Sequence, residues 1–256
     1  MYARLDQQHL AFTEYFGGRL GPAPLIKLQP HRILELGCGS GTWAIQAANE
    51  FPASQVIAVD QSPLPDRILP ANMSFQQADI TKKLNFEPES FDAVHCRLVL
   101  LYVANVREVI QQISRLLKPG GLLLIEDAEL GSWYESGGSA TRRFMSKVRE
   151  VWTERGADFE LGKNIQHMIA SLGDFPDIHV RQIRLPFAGN GPDETLNRLG
   201  LAMQKSVVGF SQNLAKRFAE QGFTHDMLLE HLKELEQSDN RITMDMYFCW
   251  ARRAIA

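Results

Sequence analysis

The sequence predicts an α/β fold in which helices cover both faces of a mostly parallel sheet. Short apolar runs recur along the first half of the chain, and several are followed directly by an acidic residue. Segments with helical periodicity separate these runs, as expected when crossover helices join parallel strands. The first run, residues 33–36, leads through a glycine-rich loop into a helical pattern over residues 42–51.

The glycine-rich loop is the most informative stretch of the chain. Gly37, Gly39 and Gly41 alternate with other residues directly after the first predicted strand. Glycine lets the backbone adopt a positive φ and lets a ligand approach, and the following helix start presents free N–H groups. Residues 35–41, Glu35 to Gly41, resemble the E/D-x-G-x-G-x-G motif of S-adenosylmethionine (SAM) methyltransferases. Residues 39–44, Gly39 to Ala44, also match the dinucleotide motif G-x-G-x-x-G/A. The glycines alone do not choose between the two cofactors.

Composition limits the other classes of function. The 256 residues suit a single domain, and 45% hydrophobic with 22% charged residues is typical of a folded globular protein. A net charge of −3 predicts no general attraction to nucleic acid. No apolar stretch approaches the ~20 residues of a membrane span, and the N-terminus has no signal-peptide pattern. Three widely spaced cysteines without metal-site spacing predict a cytoplasmic protein with reduced thiols and no metal.

Four further apolar runs are expected to continue the sheet: residues 56–59, 73–77, 91–95 and 122–125. The run over 56–59 ends at Asp60. Ligands of open α/β sheets bind at the carboxyl ends of the strands, where a carboxylate can accept hydrogen bonds from ribose hydroxyls. SAM sites and NAD sites both use an acid there, so Asp60 indicates an adenosine without choosing between them.

The remaining elements follow from periodicity. Helical spacing marks residues 3–18, 106–117, 139–155, 161–172 and most of 193–237. Period-two alternation predicts strands six and seven over residues 178–187 and 243–252. Gly17 and Gly18 are expected to end the first helix, and the Lys-Pro-Gly-Gly run 118–121 to end the helix over 106–117.

The order strand, helix, Lys-Pro-Gly-Gly, strand over residues 91–125 closely resembles the same segment of class I SAM methyltransferases. The rival class, the short-chain dehydrogenases, would need a Tyr-x-x-x-Lys pair. Four positions after the five tyrosines stand Asp6, Arg19, Val106, Gly138 and Ala251. None of them is a lysine, which disfavours a dehydrogenase.

A narrower resemblance is to the fungal secondary-metabolism methyltransferases, a group that also contains a global regulator of secondary metabolism. The segments that carry it are residues 4–9 with 17–24, residues 90–97, and residues 156–158 with 222–224. The resemblance implies a Rossmann-like class I methyltransferase fold: a seven-stranded, mostly parallel sheet with an antiparallel last strand, helices on both faces and helical insertions. It also implies SAM as the cofactor and S-adenosylhomocysteine as the product.

The same resemblance assigns the cofactor-binding residues. Those expected around the loop and the methionine part are Glu35, Gly37, Cys38, Gly39 and Gly41. The ribose is assigned to Asp60 and Gln61, the adenine to Asp79 and Ile80, and the methionine tail to Cys96 and Arg97. Two of these residues have structural alternatives: Asp79 as the cap of the turn before Thr81, and Arg97 as a partner in an ion pair.

The acceptor side of the site has fewer candidates. Trp133 and Tyr134, just after strand five, are expected to be walls of a substrate pocket. His9 is the candidate general base because histidine titrates near neutral pH, and Tyr134 is a weaker one. All three could instead be ordinary packing residues. We expect residues 1–24 to form an N-terminal lid, 25–137 the cofactor-binding core, and 138–173 and 190–240 a helical cap over the substrate pocket.

The predicted function is therefore transfer of a methyl group from SAM to an oxygen or nitrogen of a small-molecule acceptor, most simply a secondary metabolite. Nucleic-acid and membrane partners are not expected. One alternative is a SAM-binding regulator or scaffold without small-molecule turnover, and another is a SAM-dependent enzyme that does not methylate, such as a pericyclase. The sequence leaves open whether the chain is a monomer or a homodimer.

Overall fold

The computed structural model describes residues 2–237, 239 and 241–255. Residues 1 and 256 of the expected single domain, and residues 238 and 240 of the expected cap segment 190–240, lie outside the described residues. No helix within the described ranges combines the length and the apolarity needed to cross a membrane.

Seven strands form one sheet at the centre of the fold. They are β1 (Arg32–Leu36), β2 (Gln55–Asp60), β3 (Met73–Gln77), β4 (Phe91–Arg97), β5 (Leu117–Glu129), β6 (Asp177–Pro186) and β7 (Thr243–Arg252). The strand order is β3-β2-β1-β4-β5-β7-β6. β1 to β5 pair in parallel, whereas β7 is antiparallel to both of its neighbours, β5 and β6. The predicted mostly parallel sheet with an antiparallel last strand is confirmed.

Nine helices surround this sheet in the described part of the chain. They are α1 (Tyr2–Tyr15), α2 (Leu25–Leu28), α3 (Thr42–Glu50), α4 (Val106–Leu116), α5 (Leu130–Ser136), α6 (Ser139–Glu154), α7 (Leu161–Ala170), α8 (Glu194–Arg217) and α9 (His225–Leu235). One core cluster packs α2 and α3 on one face of the sheet, and a larger cluster packs the other helices on the opposite face. The inner strands are therefore covered by helices on both faces, as their nearly continuous hydrophobic runs indicate.

The elements differ in detail from the sequence prediction. The Lys-Pro-Gly-Gly run does not form a separate turn, because α4 ends at Leu116 and β5 already begins at Leu117, with a register shift against β4. The segment 193–237, predicted to be mostly helical, consists of α8 and α9. Gly222, with a φ of +92°, separates them, and the side chain of Thr224 caps the start of α9. The short helix α5 was not predicted, although the Glu129 side chain caps it by accepting two backbone N–H bonds.

The topology places the ends of β1, β2, β4 and β5 at one edge of the sheet. α1 and α8 pack against each other across this edge. Because β1 to β5 run in the same direction, their carboxyl ends and the loops after them meet beneath these two helices.

Candidate active site

The loop between β1 and α3 is held against the end of β2. The N–H groups of Gly37 and Cys38 both donate to the carbonyl oxygen of Val59, at 2.7 and 3.0 Å. Gly37 has a φ of +70°, and a Cβ atom built on it would lie 2.2 Å from Cγ2 of Val99. Both the backbone conformation and the available space therefore require glycine at this position.

Three acidic side chains of the predicted site lie at or after the ends of neighbouring strands: Glu35, Asp60 and Asp79. Asp60 accepts hydrogen bonds from the N–H of Gly39 and the N–H of Ser62, both at 2.8 Å. Asp79 accepts from the hydroxyl and the N–H of Thr81 at 2.7 and 2.9 Å, and these two bonds hold its pKa below the usual value. The turn cap foreseen as an alternative for Asp79 is thus present.

A row of ionisable side chains crosses the sheet beneath the loop: Glu35, His95, Glu126 and Arg97. His95 is fully buried, with Nδ1 3.7 Å from Glu35 and Nε2 3.6 Å from Glu126, and its ring stacks on Trp43 at 3.7 Å. Arg97 forms an ion pair with Glu126, so the structural alternative foreseen for Arg97 is also present. Burial raises the pKa of Glu35. Burial has the same effect on Glu126, but Arg97 and His95 outweigh it, so the pKa of Glu126 is lowered.

A cavity of about 650 Å³ opens at this edge of the sheet. Eleven of the predicted site residues line it: His9, Glu35, Gly37, Cys38, Gly39, Asp60, Gln61, Asp79, Ile80, Arg97 and Trp133. Within the described residues, no group of three or more His, Cys, Asp or Glu side chains is arranged to hold a metal ion.

Three predicted site residues do not line the cavity. Gly41 precedes α3, where a Cβ atom would meet the side chain of Leu64 at 3.0 Å. Cys96 is buried in the larger core cluster. Tyr134 packs its ring under the guanidinium of Arg149, at 4.5 Å from the ring centroid. The structure therefore does not bring Tyr134, expected as a substrate contact and a possible base, to the site.

α1 lies across the glycine loop. Its Leu5 approaches Gly39 so closely that a Cβ atom there would be 3.0 Å from Cδ1 of the leucine. One turn of the same helix is fixed by Asp6, which accepts a 2.6 Å hydrogen bond from the Thr42 hydroxyl and forms an ion pair with Arg67. The first helix is therefore packed over the glycine loop, beside the cavity.

His9 of α1 lines the cavity in a defined tautomer. Gln46 donates from its amide nitrogen to the carbonyl of Gly18 at 3.1 Å, which leaves its amide oxygen facing His9 at 2.7 Å from Nε2. Because an amide oxygen only accepts, Nε2 carries the proton and Nδ1 keeps its lone pair. Nδ1 has no hydrogen-bond partner among the described residues. Burial, followed by the charges of Arg97 and His95, lowers the pKa of His9 to about 4, so the imidazole is neutral at physiological pH.

The other side of the cavity is aromatic. Tyr102, Trp133 and Trp152 surround Phe210 of α8, with ring centroids 6.0 to 6.1 Å from that of Phe210. Trp152 is fixed by donating from Nε1 to the carbonyl of Leu101 at 2.7 Å. This side has walls for a planar apolar ligand, next to the polar strand ends.

Sequence reasoning missed several residues of this side: Arg4, Tyr102, Trp152, Arg155, Phe210 and Arg217. The position of Tyr102 could have been predicted, since it lies five residues after the end of β4, and Arg97 at that end was assigned to the site. The residues from α8 had a weaker one, the helical spacing of Met203, Val207 and Phe210, which is equally typical of core packing.

A family model for a methyltransferase domain matches residues 8–171. The chain belongs to this family. With the sheet order and the glycine loop described above, it is a class I, SAM-dependent methyltransferase.

Two curated relatives illustrate the range of the methyltransferase family. The methyltransferase str2 of Strobilurus tenacellus is 34% identical over 253 residues, covering 98% of this chain and 91% of that protein. The secondary metabolism regulator laeA of Coprinopsis cinerea is 32% identical over 130 residues, covering 48% of this chain and 32% of that protein.

Among solved structures, a Haemonchus contortus phosphoethanolamine N-methyltransferase 2 in complex with phosphomonomethylethanolamine and S-adenosylhomocysteine has a TM-score of 0.54 at 21% identity. The match covers 96% of this methyltransferase and 52% of that chain, so it spans about half of the neighbour's length. At this identity the likeness is one of fold.

Proposed function

We propose that this methyltransferase acts on an oxygen or nitrogen of a small organic molecule, a secondary metabolite, and takes the methyl group from SAM. The observation that supports the proposal is the cavity of about 650 Å³, which joins a polar side at the strand ends to an aromatic side beneath α8. Such a cavity admits a cofactor and a compact apolar acceptor next to each other. The name of one curated relative, a secondary metabolism regulator, points to the same area of metabolism.

The residues on the polar side fit the cofactor. Glu35 is 4% exposed and its Oε2 has no hydrogen-bond partner among the described residues, as expected for a carboxylate that awaits a ligand's donor. Six further residues would hold the remainder of the molecule: Gly39, Asp60, Gln61, Asp79, Ile80 and Arg97. When bound there, SAM supplies a methyl carbon made electrophilic by its sulfonium.

His9 is the proposed general base. Its Nδ1 carries a lone pair, has no other partner and belongs to a residue that lines the cavity. An acceptor hydroxyl that gains a methyl group becomes far more acidic than an imidazolium, so even a base whose pKa is about 4 can remove the proton. An amine acceptor reacts in its neutral form and does not need this base.

We also propose a division of labour along the chain. Residues 1–24 act as a lid, because α1 lies across the glycine loop. Residues 25–137 hold the cofactor. The segments 138–173 and 190–240 cover the acceptor and contribute Trp152 and Phe210 to the cavity wall. All three cysteines are free and buried, which agrees with a proposed place of action in the cytoplasm.

The function is tested by combining binding with turnover. Isothermal titration should show S-adenosylhomocysteine binding, and methyl-labelled SAM offered with a panel of aromatic phenols, carboxylic acids and amines should label at least one of them. If the full chain does not bind S-adenosylhomocysteine, the proposal fails at its first step.

The similarity to a secondary metabolism regulator motivates a second candidate, a SAM-binding regulatory protein. This candidate predicts S-adenosylhomocysteine binding without label transfer to any small molecule of the panel. The labelled-SAM assay therefore separates the two functions.

A further inference from the structure

The charges that line the cavity are divided between its two sides. The acidic residues, Glu35, Asp60 and Asp79, all belong to the strand ends near the glycine loop. The arginines that line the cavity, apart from Arg97, are Arg4, Arg155 and Arg217. None of these three guanidinium groups forms an ion pair in the part of the chain that the structure describes, whereas Arg97 is paired with Glu126. The side with the aromatic walls is therefore positively charged, although the whole chain carries a net charge of −3.

Arg4 is the innermost of the three. Its side chain is half-buried between α1 and α8, beside Gly209, where a Cβ atom would lie 3.4 Å from Cδ and Nε of the arginine. Glycine at this position of α8 leaves the guanidinium room. Burial lowers the pKa of Arg4. A partly desolvated cation without a counter-ion is costly, so an anionic ligand is the missing partner.

Arg155 and Arg217 extend the positive charge to the mouth of the cavity. Both are exposed, and each places its guanidinium over the ring of Phe218, at 5.4 and 5.3 Å from the ring centroid. They leave their N–H groups free to attract an incoming anion.

Two buried polar groups give an independent sign of a ligand on the same side. Oγ of Ser206 and Nε1 of Trp133 have no hydrogen-bond partner among the described residues, although the two residues are only 4% and 0% exposed and both line the cavity. Ser206 precedes Phe210 by one helical turn and therefore lies on the same face of α8. Unsatisfied donors beside an aromatic wall are expected where a ligand carries an acceptor oxygen.

We infer that the methyl acceptor is an aromatic carboxylic acid, whose carboxylate is bound by Arg4 and whose ring lies among Tyr102, Trp152 and Phe210. The oxygen or nitrogen that gains the methyl group belongs to a separate hydroxyl or amino group of the same molecule, so the carboxylate keeps its charge and His9 takes the proton of a hydroxyl. The inference rests on the proposed function and names its substrate class. Arg4 is then a residue that determines specificity. A bidentate arginine–carboxylate contact favours the acid over a neutral amide of the same shape.

The test uses the full chain saturated with S-adenosylhomocysteine. Benzoate, cinnamate and 2-naphthoate are titrated in parallel with benzamide, cinnamamide and 2-naphthamide. At least one acid should bind about tenfold or more tightly than its amide, since a hydrogen bond to a charged group contributes about 1.5–3 kcal/mol. The preference should weaken as the salt concentration rises.

Variants locate the effect. Arg4→Gln should bring each acid to within about threefold of its amide, because Arg155 and Arg217 are exposed at the mouth of the cavity and their attraction is screened by solvent. Arg4→Lys should keep part of the preference. Arg115→Gln removes the same charge from an exposed position of α4 that does not line the cavity, and should keep the full preference. The comparison of acid with amide in the unaltered protein remains decisive if Arg4→Gln does not fold.

Each outcome bears on one proposal. Equal affinity for acids and amides, or no binding of any acid to the saturated protein, overturns the assignment of Arg4 and of the substrate class. An unchanged preference in Arg4→Gln overturns the role of Arg4. Failure to bind S-adenosylhomocysteine in the first place contradicts the proposed function instead.

Discussion

The substitution Asp60→Asn should have the clearest effect on cofactor binding. The two carboxylate oxygens of Asp60 each accept a backbone N–H, from Gly39 and Ser62, both at 2.8 Å. Asparagine has one acceptor oxygen, so Asp60→Asn leaves one N–H group facing an amide NH₂ and removes the charge that would hold the ribose. If one or two hydrogen bonds of about 1.5–3 kcal/mol each are lost, the affinity for S-adenosylhomocysteine should fall about 10- to 100-fold or more.

Isothermal titration of S-adenosylhomocysteine against both proteins measures this loss. Asp66→Asn is the matched control, since it removes the same charge from an exposed loop position six residues away that does not line the cavity. The control should bind like the unaltered chain. An Asp60→Asn protein that binds S-adenosylhomocysteine within about twofold of the unaltered chain would refute the assignment of Asp60 to the cofactor.

Two further predictions concern the loop and the lid. Gly37→Ala should lower the free energy of unfolding by about 2–4 kcal/mol, since a positive φ and the Val99 side chain oppose the new methyl group. Gly17→Ala has a φ of +65° but open space around it, so it should lower the free energy of unfolding by only about 1–2 kcal/mol. Equal losses for the two variants in urea denaturation would contradict this. His9→Gln should reduce turnover about 100-fold or more. In the unaltered enzyme, turnover should fall only as the pH is lowered through about 4, where His9 becomes protonated. An ordinary histidine would be protonated near pH 6.5.

The lowered pKa of His9 should also make the free energy of unfolding depend on pH. The pKa of His9 is about 4 in the folded chain and near 6.5 when unfolded, so the unfolded state binds more protons between these values. Stability should therefore decrease as the pH is lowered from about 6.5 to 4, by about 3 kcal/mol for this residue. Urea denaturation of the His9→Gln variant should show a smaller decrease, and an identical pH dependence in both proteins would contradict the buried neutral imidazole.

The parallel core of the fold was predictable because its signals are local. Each inner strand is a mostly apolar run, and the glycines of the loop indicate positive φ values that other residues rarely adopt. The antiparallel last strand was predicted from the resemblance. The position of β7 between β5 and β6 could not be read from periodicity, since alternation shows which face of a strand is buried but not its neighbour.

The errors at element boundaries have physical causes too. Lys118 to Gly121 has the composition of a turn, yet the backbone joins β5 directly and absorbs the change as a register shift against β4. Tyr134 stands next to a residue that lines the cavity, but in helix α5 successive side chains point about 100° apart. Trp133 therefore reaches the cavity while Tyr134 packs under Arg149.

By itself, the sequence determined the class of fold, the glycine loop after the first strand and the acids that follow the strands, because each depends on residues within a few positions of one another. Only the tertiary structure decided the acceptor side. Arg4, Tyr102, Trp152 and Phe210 come from four separate helical segments, and nothing in their local sequence distinguishes a cavity wall from an ordinary core. They line one cavity because α1 and α8 pack over the sheet edge, and three of its arginines have no ion-pair partner within the described ranges.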